Sequence, residues 1–254
     1  CGGGVGARWG GWSGGGGPFH RPHPATGGTL MKFSTLGYDP AQGTRFYGIG
    51  NEYAAFLAGG LTVGIGALAY RRRLPLALVS AIGVIAVLIL GLPTMGADVG
   101  GSLALGFGFG ATLGLIRGAR LPGVALWAGA GLFLAGGLFW LSGVFFSGVS
   151  HGSRAAGGET GLLEVVVRKL LLSLDLLLNP LFFLMFVAAL AVIFVGWRRA
   201  KDTALGAGLL GATITALASG TLNDSGILAA IYALAYPVAA ALVILLAEKP
   251  GRVR

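Results

Sequence analysis

The chain has 254 residues, of which 55% are hydrophobic and only 11% are charged. A soluble domain of this size carries roughly 25% charged residues because its surface must be hydrated, so the composition excludes an ordinary soluble enzyme. The 48 glycines do not follow the every-third spacing of collagen. The single cysteine allows neither an intrachain disulfide nor a cysteine-based metal site. The remaining class is an integral membrane protein.

The formal net charge of +9 would suggest nucleic-acid binding in a soluble protein. In this chain, however, the basic residues form short clusters between apolar runs, which is the pattern that orients membrane proteins. We therefore expect the lipid bilayer to be the main partner, and we expect no nucleic acid.

The first part of the chain differs from the rest in composition. Residues 1–17 are mostly glycine, which has the largest backbone entropy cost of folding, so we predict a disordered segment there. Residues 18–49 mix prolines, histidines and charges and are predicted to be extracytoplasmic. Because Cys1 has no visible signal before it, we expect a truncated longer chain rather than a lipid-modified cysteine.

Seven apolar runs between residues 50 and 248 have lengths suited to crossing a bilayer, which takes about 20 residues. Continuous runs of this length predict helices rather than barrel strands. The predicted fold class is therefore all-α, a polytopic bundle of about seven transmembrane helices. The third run is short and rich in glycine, and is the weakest of the set. The runs cover 51–70, 74–94, 100–116, 122–147, 180–197, 203–221 and 226–247.

The charges between these runs predict an orientation. If successive runs cross the membrane in opposite directions, every connection on one side contains a basic cluster, and the only acids on that side are Asp202 and Glu248. The other side has equal numbers of basic and acidic residues. The positive-inside rule assigns the basic side to the cytoplasm, so the N-terminus is predicted outside and the tail 249–254 inside. The basic residues on that side are Arg71, Arg72, Arg73, Arg117, Arg120, Arg198, Arg199, Lys201, Lys249, Arg252 and Arg254.

The outer connection between the fourth and fifth runs predicts a further helix, over 160–179. Glu164, Arg168, Asp175 and Asn179 fall on one stripe about 60° wide at 100° per residue, and most of the other residues are Leu and Val. This pattern is typical of an amphipathic helix in the membrane interface. A scaffold helix with solvated charges explains the same stripe.

Three polar clusters next to apolar runs all fall on the predicted outer side. They are 50–52, 96–100 and 223–226. Carboxylates at membrane depth are expensive and usually face a cavity, a partner or a pathway, so convergence of these clusters would build an outward-facing acidic site. The candidates for chemistry are Glu52, Asp98 and Asp224, and those for binding are Arg45, Asn51, His151, Arg168 and Asn223.

Structural explanations compete with this site. Gly-Ala-Asp and Asn-Asp-Ser-Gly are good turn sequences, and Asp98 and Asp224 could equally serve as turn or helix-cap residues. No paired His–Glu spacing supports a metal site, and no nucleophile elbow, Walker loop or dinucleotide fingerprint is present. We therefore expect no metal and no cofactor.

Glycines on the third run suggest how the helices pack. Gly106, Gly110, Gly114 and Gly118 recur every four residues, and Gly60 and Gly64 repeat the spacing once in the first run. Small residues at this spacing let helix backbones approach closely in lipid. We therefore predict packing seams; a glycine-lined permeation path is the alternative.

The stretches Gly48-Ile49-Gly50-Asn51-Glu52, Gly96-Ala97-Asp98-Val99-Gly100-Gly101 and Asn223-Asp224-Ser225-Gly226 resemble those of poorly characterised bacterial multipass membrane proteins. The similarity covers about residues 27–247. It implies a membrane module of a longer chain whose N-terminal part holds additional spans or an alkaline-phosphatase-like extracytoplasmic portion. No settled activity comes with this resemblance.

The sequence leaves three functions open and does not decide whether anything is catalysed. The leading interpretation is an outward-facing site for a cell-envelope lipid or a lipid-linked substrate, with Arg168 or Lys169 meeting a phosphate. The alternative is a secondary transporter in which Glu52 or Asp224 exchanges protons. The third is an anchoring or assembly subunit without a site.

Overall fold

The computed structural model describes residues 49–145 and 179–247, except 73, 93, 94, 97, 224 and the side chains of 142–145, with scattered helical positions between 167 and 178. These residues form seven helices and no strand, which confirms the predicted all-α bundle. The helices are α1 (Asn51–Arg72), α2 (Leu76–Gly91), α3 (Val99–Ile116), α4 (Leu121–Phe145), α5 (Pro180–Ala200), α6 (Ala204–Leu222) and α7 (Ile227–Leu246).

Several predicted segments lie outside the described residues. These are the glycine-rich segment 1–17, the extracytoplasmic segment up to residue 48, most of the interfacial helix 160–179 and the tail 249–254.

Six of the seven helices are long and apolar enough to cross a membrane, and the short one is α2. Its 16 residues span about 24 Å at 1.5 Å each, less than the bilayer core of about 30 Å. Two prolines explain its length. Pro75 occupies the N-cap, and Leu92, which precedes Pro93, has extended backbone angles because a residue before proline avoids the helical region.

The prediction that the third run is the weakest span is therefore wrong. In α3, 67% of the apolar window is buried inside the bundle, against 11% for α4 and α5. The helix α3 packs against α1, α2, α4 and α6, so it is the centre of the bundle. The helix α1 packs on α6 and α7, and α5 covers α7 from the outside.

The bundle has two chemically different ends. The Ile49 amide donates to the Gly96 carbonyl (2.8 Å), which brings the starts of α1 and α3 together. At the opposite end, Arg199 Nη1 donates to the Leu245 carbonyl (2.7 Å), which joins the ends of α5 and α7. We call the first the carboxylate end, because Glu52 and Asp98 lie there, and the second the arginine end.

The predicted seam on α3 is a packing surface for α4. A Cβ atom on Gly106 would lie 2.6 Å from the Gly131 carbonyl oxygen, and one on Gly110 would collide with the carbonyl of Trp127. Gly114 faces the same helix. Since lipid provides no hydrophobic drive between helices, this close approach supplies the van der Waals contact that holds α4.

Two of the glycines assigned to the seams do not pack. Gly118 lies beyond the end of α3 with a φ of +68°, and a Cβ there would meet nothing within 4 Å. Its role is to end the helix in a left-handed conformation. Gly64 also faces open space, whereas Gly60 lies against the ring of Tyr236.

The helices α3 and α6 interlock because a threonine of each helix packs against a glycine of the other. Thr215 of α6 lies directly over Gly108 of α3, and Thr112 of α3 lies over Gly211 of α6. Either glycine, if given a side chain, would collide with the opposing threonine. The reciprocal pairs fix the register of the two helices.

The helix α1 contacts α6 and α7 through the same device. Gly66 approaches Gly208 of α6, and Gly59 approaches the carbonyl of Ala233 in α7. Pro237, inside α7, cannot donate the amide hydrogen bond that this carbonyl would otherwise accept. The Cα of Gly59 therefore packs where a carbonyl oxygen has been freed, a geometry in which weak Cα–H···O contacts form.

We predict that Gly110→Leu separates α4 from α3 and lowers the free energy of unfolding by about 1–3 kcal/mol, the usual effect of overpacking. Thermal unfolding in detergent measures it. The matched control is Gly129→Leu on α4, where a Cβ atom would meet nothing within 4 Å. Equal melting temperatures for the two variants would contradict the seam.

Candidate functional site

Asp98 uses both carboxylate oxygens at the carboxylate end. It is the N-cap of α3, where Oδ1 accepts a hydrogen bond from the Gly101 amide (2.8 Å), which confirms the cap role considered from sequence. Its Oδ2 accepts from Asn223 Nδ2 (3.3 Å), across a separation of 125 residues. The side chain is only 3% exposed, so cap and cross-link are both buried.

Glu52 binds the same connection from another helix. It lies in the first turn of α1 and is half-buried, and its Oε1 accepts a hydrogen bond of 2.6 Å from Ser225 Oγ. Within the connection, the Ser225 amide donates to Asn223 Oδ1 (3.2 Å). We refer to Glu52, Asp98, Asn223 and Ser225 as the carboxylate cluster.

The backbone at this end is packed closely enough to hold the cluster. A Cβ on Gly100 would lie within 3 Å of the Asn223 Cα and collide with the Leu222 carbonyl, and a Cβ on Gly101 would lie 3.2 Å from that of Ala54. Gly226 has a φ of +54°, a conformation that residues with side chains rarely adopt. The glycines therefore bring the starts of α1 and α3 against the α6–α7 connection.

Helix dipoles favour negative charge in the cluster. Glu52 lies in the first turn of α1 and Asp98 caps α3, while α7 begins directly after the connection that both carboxylates bind. The N-terminus of a helix carries a partial positive charge that stabilises an anion. Two helix N-termini thus hold the two carboxylates, and a third helix begins just after the connection that they bind.

The structure brings together Glu52, Asp98 and Asn223 of the residues predicted for the site. Asn51 begins α1 beside Glu52 and is half-buried. Arg45, His151, Arg168 and Asp224 lie outside the described residues. Ser225 was missed as a binding residue, although its place inside the third polar cluster was a signal, since a serine hydroxyl can satisfy a carboxylate.

A column of buried hydroxyl groups, which we call the hydroxyl column, lies beneath the cluster and was not predicted from the sequence. Ser219 is one helical turn from Asn223, and Thr215 is two turns away on the same face of α6. Thr215 Oγ1 lies 3.3 Å from Thr62 Oγ1 of α1, and Thr112 follows at the Gly211 contact. All four hydroxyl-bearing residues are fully buried.

Three of these hydroxyls have backbone partners and one has none. Thr62, Thr112 and Thr215 each donate to the carbonyl four residues earlier, at 2.7, 2.9 and 2.9 Å. Among the described residues, the Ser219 hydroxyl has no hydrogen-bond partner. A buried hydroxyl without a partner costs free energy, so Ser219 is the weakest point of the column.

The described residues contain no group of three or more His, Cys, Asp or Glu side chains that could hold a metal ion. Comparison with protein-family models, with curated proteins and with solved structures finds no match to this chain. The site must therefore be judged on its geometry.

We predict that exchanging the two side chains of the Asp98–Asn223 pair restores the stability that each single substitution removes. Asp98→Asn leaves one acceptor oxygen for two donors, so one bond is lost and the free energy of unfolding falls by about 1–3 kcal/mol. Asn223→Asp sets two carboxylates against each other and also destabilises. The double variant Asp98→Asn with Asn223→Asp restores a donor facing an acceptor and should recover most of the loss.

Thermal unfolding of the four proteins in one detergent measures this coupling as a double-mutant cycle. A double variant whose destabilisation equals the sum of the two single losses would show that the pair does not interact.

Proposed function

We propose that this chain is a multi-pass protein of a bacterial cytoplasmic membrane, with the carboxylate end facing outward. Six helices are long and apolar enough to cross a membrane. Basic residues occupy the last turns of α1 and α5 and the C-cap of α3, all at the arginine end, as the positive-inside rule expects of a cytoplasmic face. The resemblance to bacterial multipass proteins agrees with this proposal and remains a prediction.

We further propose that the protein is a proton- or cation-coupled carrier whose exchanging group is Glu52. The observation that carries this proposal is that Glu52 and Asp98, from separate helices, both bind the α6–α7 connection. The charge state of the cluster is thereby linked to the position of two helices. An ion that binds there changes the hydrogen bonds that hold α6 and α7 against α1 and α3.

Glu52 and Asp98 differ in what their partners allow. A hydroxyl both donates and accepts, so Ser225 can keep its bond whether Glu52 is ionised or protonated. Each oxygen of Asp98 accepts a hydrogen bond from a group that only donates, the Gly101 amide and the Asn223 amide NH₂. Protonation of either oxygen weakens one of these bonds. Glu52 is therefore suited to exchange a proton, and Asp98 is suited to hold the start of α3 against the end of α6.

The hydroxyl column supports a carrier over a pure scaffold. A scaffold gains nothing from a fully buried hydroxyl without a partner, whereas a pathway needs polar groups that can bind a proton or a cation in passing. Ser219 lies between the cluster and the Thr62–Thr215 pair, where such a group is needed.

A lipid-linked substrate at the carboxylate end is the second candidate. The cluster lies at one end of the apolar helices, where the proposed topology puts it near the lipid headgroups, and its carboxylates and amide suit the hydroxyls of a sugar. The phosphate of such a substrate would need a cation, and Arg168 and Lys169 lie outside the described residues. The described cluster contains acceptors and no cation, so the carrier ranks first.

Orientation is tested by cysteine labelling in intact cells, with Cys1 replaced. We expect a membrane-impermeant maleimide to label Met95→Cys and Leu178→Cys, which are exposed near the carboxylate end, and to spare Ala119→Cys and Ala247→Cys at the arginine end. Labelling of the second pair with sparing of the first would reverse the topology.

Ion coupling is tested in liposomes that contain the purified protein and a trapped pH-sensitive dye. We expect a pulse of Na⁺, K⁺ or Li⁺ to dissipate an imposed pH gradient, and Glu52→Gln to slow this at least about tenfold. A Gln side chain can still bind Ser225, so its melting temperature should stay near that of the original protein.

The matched control is Asp175→Asn, which removes the same charge at an exposed position and should leave the rate unchanged. Equal rates for Glu52→Gln and the original protein would remove Glu52 from the mechanism. The absence of any cation response would favour the lipid-linked substrate or the scaffold.

A further inference from the structure

The arginine end contains a cavity of about 470 Å³, within the range of small-molecule sites. It is bounded by the last turn of α3, the short connection between α5 and α6, and the first two turns of α6. The helices α3 and α5 each pack against other helices but share no extended contact in the described bundle. The cavity lies in the gap between them.

The lining changes from charged to apolar with depth. Lys201 and Asp202 are exposed and form the rim. The deeper wall consists of the half-buried Ile116 and Leu210 and the buried Ala207. From Ala204 to Leu210 the cavity follows α6 for six residues, or about 9 Å. A ligand that fills it must therefore be amphiphilic, with a polar group at the rim and a hydrocarbon portion below.

The charges around the rim favour an anion. Lys201 has no ion-pair partner among the described residues, and Asp202 is the single described acid at an end that also carries Arg117, Arg198 and Arg199. Arg117 lies over the ring of Trp127, 5.3 Å from its centroid, and Arg199 binds the Leu245 carbonyl. Lys201 is thus the cation available at the cavity itself.

We infer that this cavity binds an anionic phospholipid, with the headgroup phosphate at Lys201 and the upper part of an acyl chain against Ala207 and Leu210. Basic pockets between helices at the membrane surface recognise anionic headgroups in this way. The inference does not depend on the carboxylate cluster, which lies about 20 Å away along α6, the thirteen residues from Leu210 to Asn223.

Trp197 lines the cavity and reports occupancy by fluorescence. The protein is placed in phosphatidylcholine vesicles with a fixed fraction of lipid brominated near the headgroup, either phosphatidylglycerol or phosphatidylcholine. The signal of Trp197 is the part of the quenching that a Trp197→Phe variant lacks. We expect brominated phosphatidylglycerol to associate about fivefold more strongly than brominated phosphatidylcholine.

Two variants and one control distinguish the contribution of the Lys201 charge to lipid binding from that of the cavity shape. Lys201→Gln should bring the ratio of the two lipids close to one, and Ala207→Phe should reduce quenching by both because it fills the deeper wall. Arg72→Gln, a cation at the same end that does not line the cavity, should leave the ratio unchanged.

Equal quenching by the two brominated lipids in the original protein would overturn the proposal. So would loss of the preference on adding millimolar inorganic phosphate, because the ligand would then be a free anion rather than a lipid.

Discussion

Close contact between the backbones of α1, α3 and α6 determines where every other part of the bundle lies. Lipid competes equally well for apolar side chains, so helices associate where glycine lets them approach. At Gly108 and Gly211 the gap left by each glycine is filled by a threonine of the opposite helix. This geometry makes α3 the centre, and leaves α4 and α5 as outer helices that face lipid over most of their surface.

The same close approach makes buried polar groups tolerable. A hydroxyl that bonds to the carbonyl one turn earlier satisfies itself within its own helix, so Thr62 and Thr215 can meet at the centre without further partners. The second oxygen of Asp98, in contrast, accepts a hydrogen bond from Asn223 at the end of another helix. The buried carboxylate therefore links the start of α3 to the end of α6.

Hydropathy and small-residue spacing predict most of this frame, because each acts within a single helix. The helix limits, the α3 seam and the placement of Glu52 and Asp98 at one end follow from such local signals. Pairings between helices do not follow from local signals. The hydroxyl column could not be predicted because threonine has nearly neutral hydropathy, and its spacing along one helix does not show which helix it will face. The prediction for Gly64 was wrong for the same reason, since this glycine has the right spacing but no helix of the described bundle faces it.

The interlocked threonines also limit how a carrier with this fold could move. Sliding α6 along α3 would drive Thr215 out of the space above Gly108, so a rotation about that contact disturbs the two helices less than sliding does. The carboxylate cluster lies on one side of this pivot and the cavity at the arginine end on the other. In a carrier of the proposed kind, a rotation about this contact that moves α6 away from α3 at the carboxylate end brings the two helices together at the arginine end, as alternating access requires. A lipid held at Lys201 would then oppose the outward-open state, because it fills the space that this state has to close.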